Sequence, residues 1–506
     1  MNIMKQYMKL MSVAVGLFTA AATSINAQTL RSAYFLEGMT YRHELNPAFM
    51  GERGYVSIPA LGNLQFGFNS TAGLSHFLFP TNDGKLTTFM SESVSRKEFL
   101  DGLPSRLKLD LDLQETILSF GFHAWGGFNT FGITLKSNTT FGIPVEMFRF
   151  MKDPSETEYH LKNFGLTSTN YAEIALGHAR EINSQWTVGG KVKVLVGLAK
   201  ASLHVDDMTM TMKDNYWKID PNGAELNVAV SGMTIPTKGE TKNYDDTDYE
   251  LDDNGDRTEV LKEGTDNQLS LNDIDFDSGE IGPTGMGVAF DLGATYKLNE
   301  DWMFSASILD LGFIAWKNTI RGNITKSFEF NGFQEIPLDE TDDNKHNSLE
   351  NQADRLLDDL VDLSKFDKVG DDEKYTKALA ATLLLGAQYT LPVYDRLKFG
   401  FLSTTRIQGP NSWTEGRLSA NIAPLSAFEM GVNYALSNFG STFGFMLNSH
   451  GAGFNVFVGA DIPLTKYEPK YFVPTGRFGL QFNMGFNITF GSKYKPKYKC
   501  VEVQTL

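Results

Sequence analysis

Apolar and polar residues alternate without a break along R-F-G-L-Q-F-N-M-G-F-N-I-T-F, from Arg477 to Phe490. Phe478, Leu480, Phe482, Met484, Phe486, Ile488 and Phe490 fall on one side. Gly479, Gln481, Asn483, Gly485, Asn487 and Thr489 fall on the other. Successive side chains of a strand point to opposite faces, so the segment predicts a strand with one apolar face and one small, polar face. A strand in a soluble sheet runs to about 5–6 residues, whereas a tilted strand crossing a bilayer needs about 9–11. The length predicts a crossing.

The same pattern recurs as hairpins. Strands are predicted at 172–180 and 186–194 around a turn at 182–185, and at 289–296 and 302–308 around a turn at 298–301. A third pair, 383–389 and 397–401, brackets a turn at 392–395. Each is strand, tight polar turn, strand, and Trp or Tyr flanks each turn, where an aromatic girdle meets a membrane interface. Long polar segments separate the hairpins, the largest from about Asp206 to Pro283 and from about Asn318 to Lys377. Short turns at one rim and long loops at the other are the asymmetry of bacterial outer-membrane barrels. Strands are expected near Leu64, Leu113, Phe131, Ala172, Trp186, Met286, Trp302, Ala381, Leu397, Glu415, Phe428, Phe443, Phe454 and Phe478, fourteen in all. An extra hairpin built on Ala224 to Val230 would make sixteen. An even count puts both termini and the short turns on the periplasmic side and the acidic loops outside. Leu349, Ala353, Leu356, Leu357 and Leu360 share a helical face, which predicts a loop helix over the barrel mouth. The fold class is all-β: an antiparallel transmembrane β-barrel occupying 55–490, whose last strand ends on an aromatic.

The N-terminus agrees. Lys5 and Lys9 precede an apolar run from Met11 to Thr23, and Ile25-Asn26-Ala27 offers a cleavage site before Gln28. This reads as a signal peptide over 1–27. The expected location is the bacterial outer membrane, with outer-membrane lipid as the first partner. A basic tail, 491–506, carries Lys493, Lys495, Lys497 and Lys499 and is expected in the periplasm, where it could touch anionic lipid or a protein.

Composition narrows the chemistry. The hydrophobic share of 42% would suit a soluble protein, but barrel strands carry apolar residues only at alternate positions. A net charge of −16 excludes nucleic acid as partner, which needs a basic footprint. Cys500 is the only cysteine, so there is no disulfide framework. The chain has no G-x-S-x-G elbow, H-E-x-x-H or phosphate-binding G-x-x-x-x-G-K. Ser449 and His450 adjoin in a predicted turn, which does not make a Ser–His pair across strands. Asp252, Asn254, Asp256 and Glu263 match calcium-loop positions, but Arg257 stands where the loop needs Gly, so a solvated acidic loop is favoured. Neither an enzyme nor a cofactor nor a metal site is expected.

Ahead of the first strand stands Arg42-His43-Glu44-Leu45-Asn46-Pro47-Ala48-Phe49. Asn46-Pro47-Ala48 resembles the N-P-A motif in the N-terminal hatch of FadL-type transporters, fourteen-stranded barrels that move hydrophobic molecules. The wider chain resembles a Bacteroidota family of FadL-like outer-membrane barrels known as a domain of unknown function. That likeness runs through 33–38, 45–49, 57–63, 99–104 and 308–316. It implies a hatch over 28–54, with Asn46, Pro47 and Ala48 as its motif, and passage or binding of a hydrophobic small molecule. The rival expectation is a closed barrel serving as an interaction subunit, holding an outer-membrane or periplasmic protein. Transport calls for an apolar pocket and a wall exit, and a scaffold needs neither.

Overall fold

The computed structural model describes residues 31–81, 86–152, 157–213, 216–252, 257–277, 282–332, 348–362, 365–466 and 475–494. The signal peptide, Asn254 and Asp256 of the calcium-like pattern, and Cys500 with most of the basic tail lie outside them. The wall begins with β1 (Gly54–Ser57) and β2 (Leu64–Ser70), two pieces of one strand. Next come β3 (Arg106–Ala124), β4 (Gly127–Pro144), β5 (Glu158–Glu181) and β6 (Trp186–Lys213). After β7 (Tyr216–Val230) the wall resumes with β8 (Gly285–Lys297), β9 (Trp302–Asn323), and β10 (Asp367–Ala378) continued by β11 (Ala381–Thr390). It finishes with β12 (Leu397–Ile407), β13 (Trp413–Leu425), β14 (Phe428–Ser437), β15 (Gly440–His450), β16 (Asn455–Pro463) and β17 (Phe478–Phe490).

Neighbours pair antiparallel, and β17 closes on β1 and β2, which in turn pair with β3. The result is a closed barrel of fourteen strands. All fourteen strand positions read from the sequence are wall strands. Closure leaves the wall no open sheet edge, as a hydrocarbon environment requires. Along β17, Leu480, Met484, Phe486, Ile488 and Phe490 are exposed on the outside, while Gln481, Asn483, Asn487 and Thr489 are buried inside. Trp125, Trp186, Trp302 and Tyr394 are exposed at the short-turn rim, forming the girdle.

These faces carry a first prediction. Phe482→Arg puts a guanidinium on the outer face and should cost about 2–4 kcal/mol at mid-bilayer, whereas Asn483→Gln stays inside. Heat-modifiable gel mobility and membrane yield should fall for the first variant and hold for the second. Equal yields would contradict the assigned faces.

The long polar segments are not wholly loops. β6 runs on to Lys213, β9 to Asn323, and β10 starts at Asp367, so strands project past the apolar belt. There they have no lipid face, and the alternation that marks a crossing strand fades. β7, which contains Ala224 to Val230, pairs with β6 and with the outer end of β9, directly above β8. It extends the sheet beyond the belt, and the wall count stays at fourteen. The loop helix is present as α1 (Leu349–Asp362). Asp248, in the loop before it, is fully buried. Burial pushes its carboxyl up, but hydrogen bonds from Lys238 and from Lys365 (2.9 Å) outweigh it and hold the group below the usual carboxylate range. Ser449 and His450 end β15 rather than forming a turn: Ser449 donates to the Ala427 carbonyl at 3.4 Å and His450 is buried inside.

Candidate functional site

The lumen is filled in layers, and residues 31–53 make the layer nearest the short-turn rim. Among them only short 3-10 turns form, with no strand pairing. Side chains hold the segment instead. Tyr34 donates to Ser305 (3.0 Å), Thr40 to Asn455 (2.8 Å) and Tyr41 to Asn487 (2.9 Å). The Gly38 amide donates to the Glu429 carboxylate at 3.0 Å. Rings pack edge to face, with Tyr34 5.0 Å from Phe49 and Tyr41 5.6 Å from Tyr55. Together with Phe35, Leu36, Met39 and Leu45, these rings cover inward wall residues Phe128, Leu384, Leu402, Met446 and Phe457.

Asn46, Pro47 and Ala48 form a tight turn against the wall. The Asn46 Oδ1 accepts from the Ala48 amide at 2.9 Å, the Asx-turn arrangement that Asn favours. Its Nδ2 donates to the carbonyls of Ala306 (3.2 Å) and Ala294 (3.4 Å) on β9 and β8. Pro47 fixes its own φ and has no N–H to satisfy. The wall makes room with two cross-strand glycines, Gly189 on β6 and Gly293 on β8. A Cβ on Gly189 would stand 2.2 Å from the Pro47 carbonyl oxygen, and one on Gly293 2.1 Å from the Asn46 Oδ1.

Above this layer lies a cavity of about 130 Å³, room for several waters. Its lining mixes apolar residues such as Leu113, Phe131 and Leu309 with a buried charge cluster whose pairing the sequence reading missed. Lys193 from β6 meets Asp310 (2.6 Å), Asp291 (2.7 Å) and Glu173 (3.5 Å). Lys136 from β4 pairs with Glu173 at 2.7 Å. From below, Glu44 projects one carboxylate oxygen to Gln114 (2.8 Å), Asn63 (3.0 Å) and Gln65 (3.2 Å). A relay joins both layers: Lys191 Nζ lies 3.0 Å from His43 Nδ1, and His43 Nε2 lies 2.7 Å from the Tyr55 hydroxyl.

A bulge in β9 brings Asp310 into this set. Phe290 faces Leu311, yet Leu292 faces Ile308, so two residues of β9, Leu309 and Asp310, oppose one of β8, Asp291. Asp310 takes φ +58°, a conformation Asp tolerates. Its amide donates to Asp291 Oδ1 at 2.8 Å. Inward positions therefore switch from Ser305, Ser307 and Leu309 below the bulge to Ile314 and Trp316 above it. Trp316 then packs with Leu195, Ala289 and Tyr171 as an apolar layer over the cavity.

A sequence model described as "Family of unknown function (DUF5723)" matches residues 47–461. No curated protein matches. Among solved structures, the Pseudomonas putida toluene transporter TodX is similar at 9% identity, covering 92% of this chain and 95% of its own, with a TM-score of 0.35. The CymD monoaromatic hydrocarbon channel is similar at 8% identity, over 94% of this chain and 96% of its own, at a TM-score of 0.34. A Pseudomonas aeruginosa FadL homologue is similar at 11% identity, over 88% and 92%, at a TM-score of 0.33.

Proposed function

The chain belongs to the DUF5723 family, whose function is unknown, and from the barrel itself we propose an outer-membrane protein gated by residues 31–53. When that segment leaves its seat, the barrel passes or binds a hydrophobic small molecule. One observation carries this reading. A barrel lumen is usually polar, yet here Phe128, Leu384, Leu402, Met446 and Phe457 face inward, each buried by the segment. Withdrawing the segment would uncover an apolar vestibule. The segment pairs with no wall strand along 31–53, so it can move without opening the sheet. Asn46, Pro47 and Ala48 are its seat, the small Ala48 and the two wall glycines allowing a close fit that releases as a unit. The apolar belt and the leader-like N-terminus support the outer membrane as its place. The ion cluster on one part of the cavity wall favours a second reading, an interaction subunit with no cargo, because apolar cargo gains nothing from those groups.

Deleting Arg42 to Gly51 separates the two. The gate reading expects a heat-modifiable barrel with raised uptake of a hydrophobic dye and raised sensitivity to large antibiotics. Normal assembly with unchanged permeability would favour the interaction subunit, and loss of assembly would make the segment part of the wall.

A further inference from the structure

The front end of the gate occupies a wall site built for a cation. Trp413, Glu415 and Arg417 point inward from alternate positions of β13, and Asp461 joins them from β16. Arg417 is committed to the wall: it meets Asp461 at 2.6 Å and Glu415 at 3.0 Å, and also donates to Asn433. Both carboxylates are buried, at 5% and 1% side-chain exposure. Two buried carboxylates against one guanidinium leave the wall one positive charge short, a costly state for a buried site. Arg31 supplies that charge. Its Nη1 stands 3.2 Å from Glu415, and its guanidinium lies 4.8 Å from the centre of the Trp413 ring. Ser32 beside it donates to Asp461 (2.5 Å) and accepts from Arg417 (2.8 Å). An aromatic face plus a carboxylate is the pairing that recognises a planar guanidinium.

Arg31 fills the site imperfectly. Its Nε is buried without a hydrogen-bond partner among the described residues, its Nη1 meets Glu415 as an ion pair outside hydrogen-bond geometry, and the Trp413 Nε1 has no hydrogen-bond partner there either. Both side chains line the luminal cavity. We propose that Trp413, Glu415 and Asp461 form a receptor for a guanidinium-bearing small molecule, occupied in the closed state by Arg31, and that an incoming guanidinium competes with Arg31 and frees the gate's front end. This rests on the gate reading only in its last step. An occupant tethered by a short chain competes at an effective concentration on the order of mM, so the receptor should look weak until Arg31 is removed.

The test uses agmatine, an alkylguanidinium, titrated calorimetrically into the full chain in detergent. Arg31→Ala should bind it about tenfold tighter than the unaltered protein, as expected once a tethered competitor is gone. Adding Glu415→Gln should abolish that gain. Heat-modifiable mobility checks each barrel, with Arg31→Gln as the substitute should Arg31→Ala fail to assemble. No gain in affinity, or a gain that survives Glu415→Gln, overturns the receptor. Hydrophobic-dye uptake is followed in parallel: a rise on adding agmatine to the unaltered protein supports displacement. Unchanged uptake with intact binding keeps the receptor and refutes its link to the gate.

Discussion

Lys193→Met should destabilise the barrel by about 3–5 kcal/mol, the usual effect of removing one partner from a buried ion cluster. Lys193 is 4% exposed and serves three carboxylates, those of Asp291, Asp310 and Glu173. Lys136 remains with Glu173 and reaches Asp310 at 3.6 Å, so two of the three keep a cation. Asp291 loses its only ion pair among the described residues while staying 1% exposed. The expected readout is a lower denaturant midpoint for the detergent-held barrel. The double variant Lys193→Met/Asp291→Asn should recover part of the loss, since neighbours in one network do not add. A double variant no better than the single would place the damage elsewhere than in the stranded carboxylate.

Gly189→Val should displace the gate while leaving the wall intact. Val suits a strand better than Gly does, and Gly189 lies in a fully paired stretch of β6. Its new side chain, however, would overlap backbone: a Cβ alone comes within 2.2 Å of the Pro47 oxygen and 2.6 Å of the Ala48 nitrogen. Backbone cannot rotate aside as a flexible side chain can, so the overlap should cost the seated state about 1–3 kcal/mol or more. Limited proteolysis should then cut within 42–51, and hydrophobic-dye uptake should rise, in a barrel whose heat-modifiable mobility is unchanged. A variant as protease-resistant and as tight as the unaltered protein would show that the turn need not sit on Gly189.

The wall was legible because one physical rule writes it. A strand between lipid and lumen must alternate, and the alternation alone places Phe482 outside and Asn483 inside. Where the rule lapses, so does the reading. Past the belt, the polar ends of β6, β9 and β10 look like loop, although the sheet continues through them. The bulge at Asp310 is hidden for a different reason. Nothing in I-L-D-L-G-F-I announces that Leu309 and Asp310 occupy one bulge, and the parity count goes wrong beyond it. The charge cluster was half visible. Parity turns Glu173, Lys191, Lys193 and Asp291 inward, an unusual density of charge for the middle of a wall. Their pairing was not visible, because Lys193 and Asp310 are 117 residues apart and meet only because β8 pairs with both of their strands. At the N-terminal segment, Asn46-Pro47-Ala48 stood out as a motif. Arg31 and Ser32 did not, since their partners lie on β13 and β16, strands near the far end of the chain.

The central claim is that residues 31–53 must leave their seat for a molecule to pass. Thr40 and Asn455 touch through their side chains at 2.8 Å, one on the segment and one on β16. Paired cysteines at these two positions, with Cys500→Ser to remove the native thiol, would tie the segment to the wall under oxidation and release it under reduction. Gel mobility reports whether the bridge has formed. Hydrophobic-dye uptake should fall to the level of cells lacking the protein when the bridge is closed, and return when it is reduced. Uptake that proceeds equally with the bridge closed and open would contradict the gate.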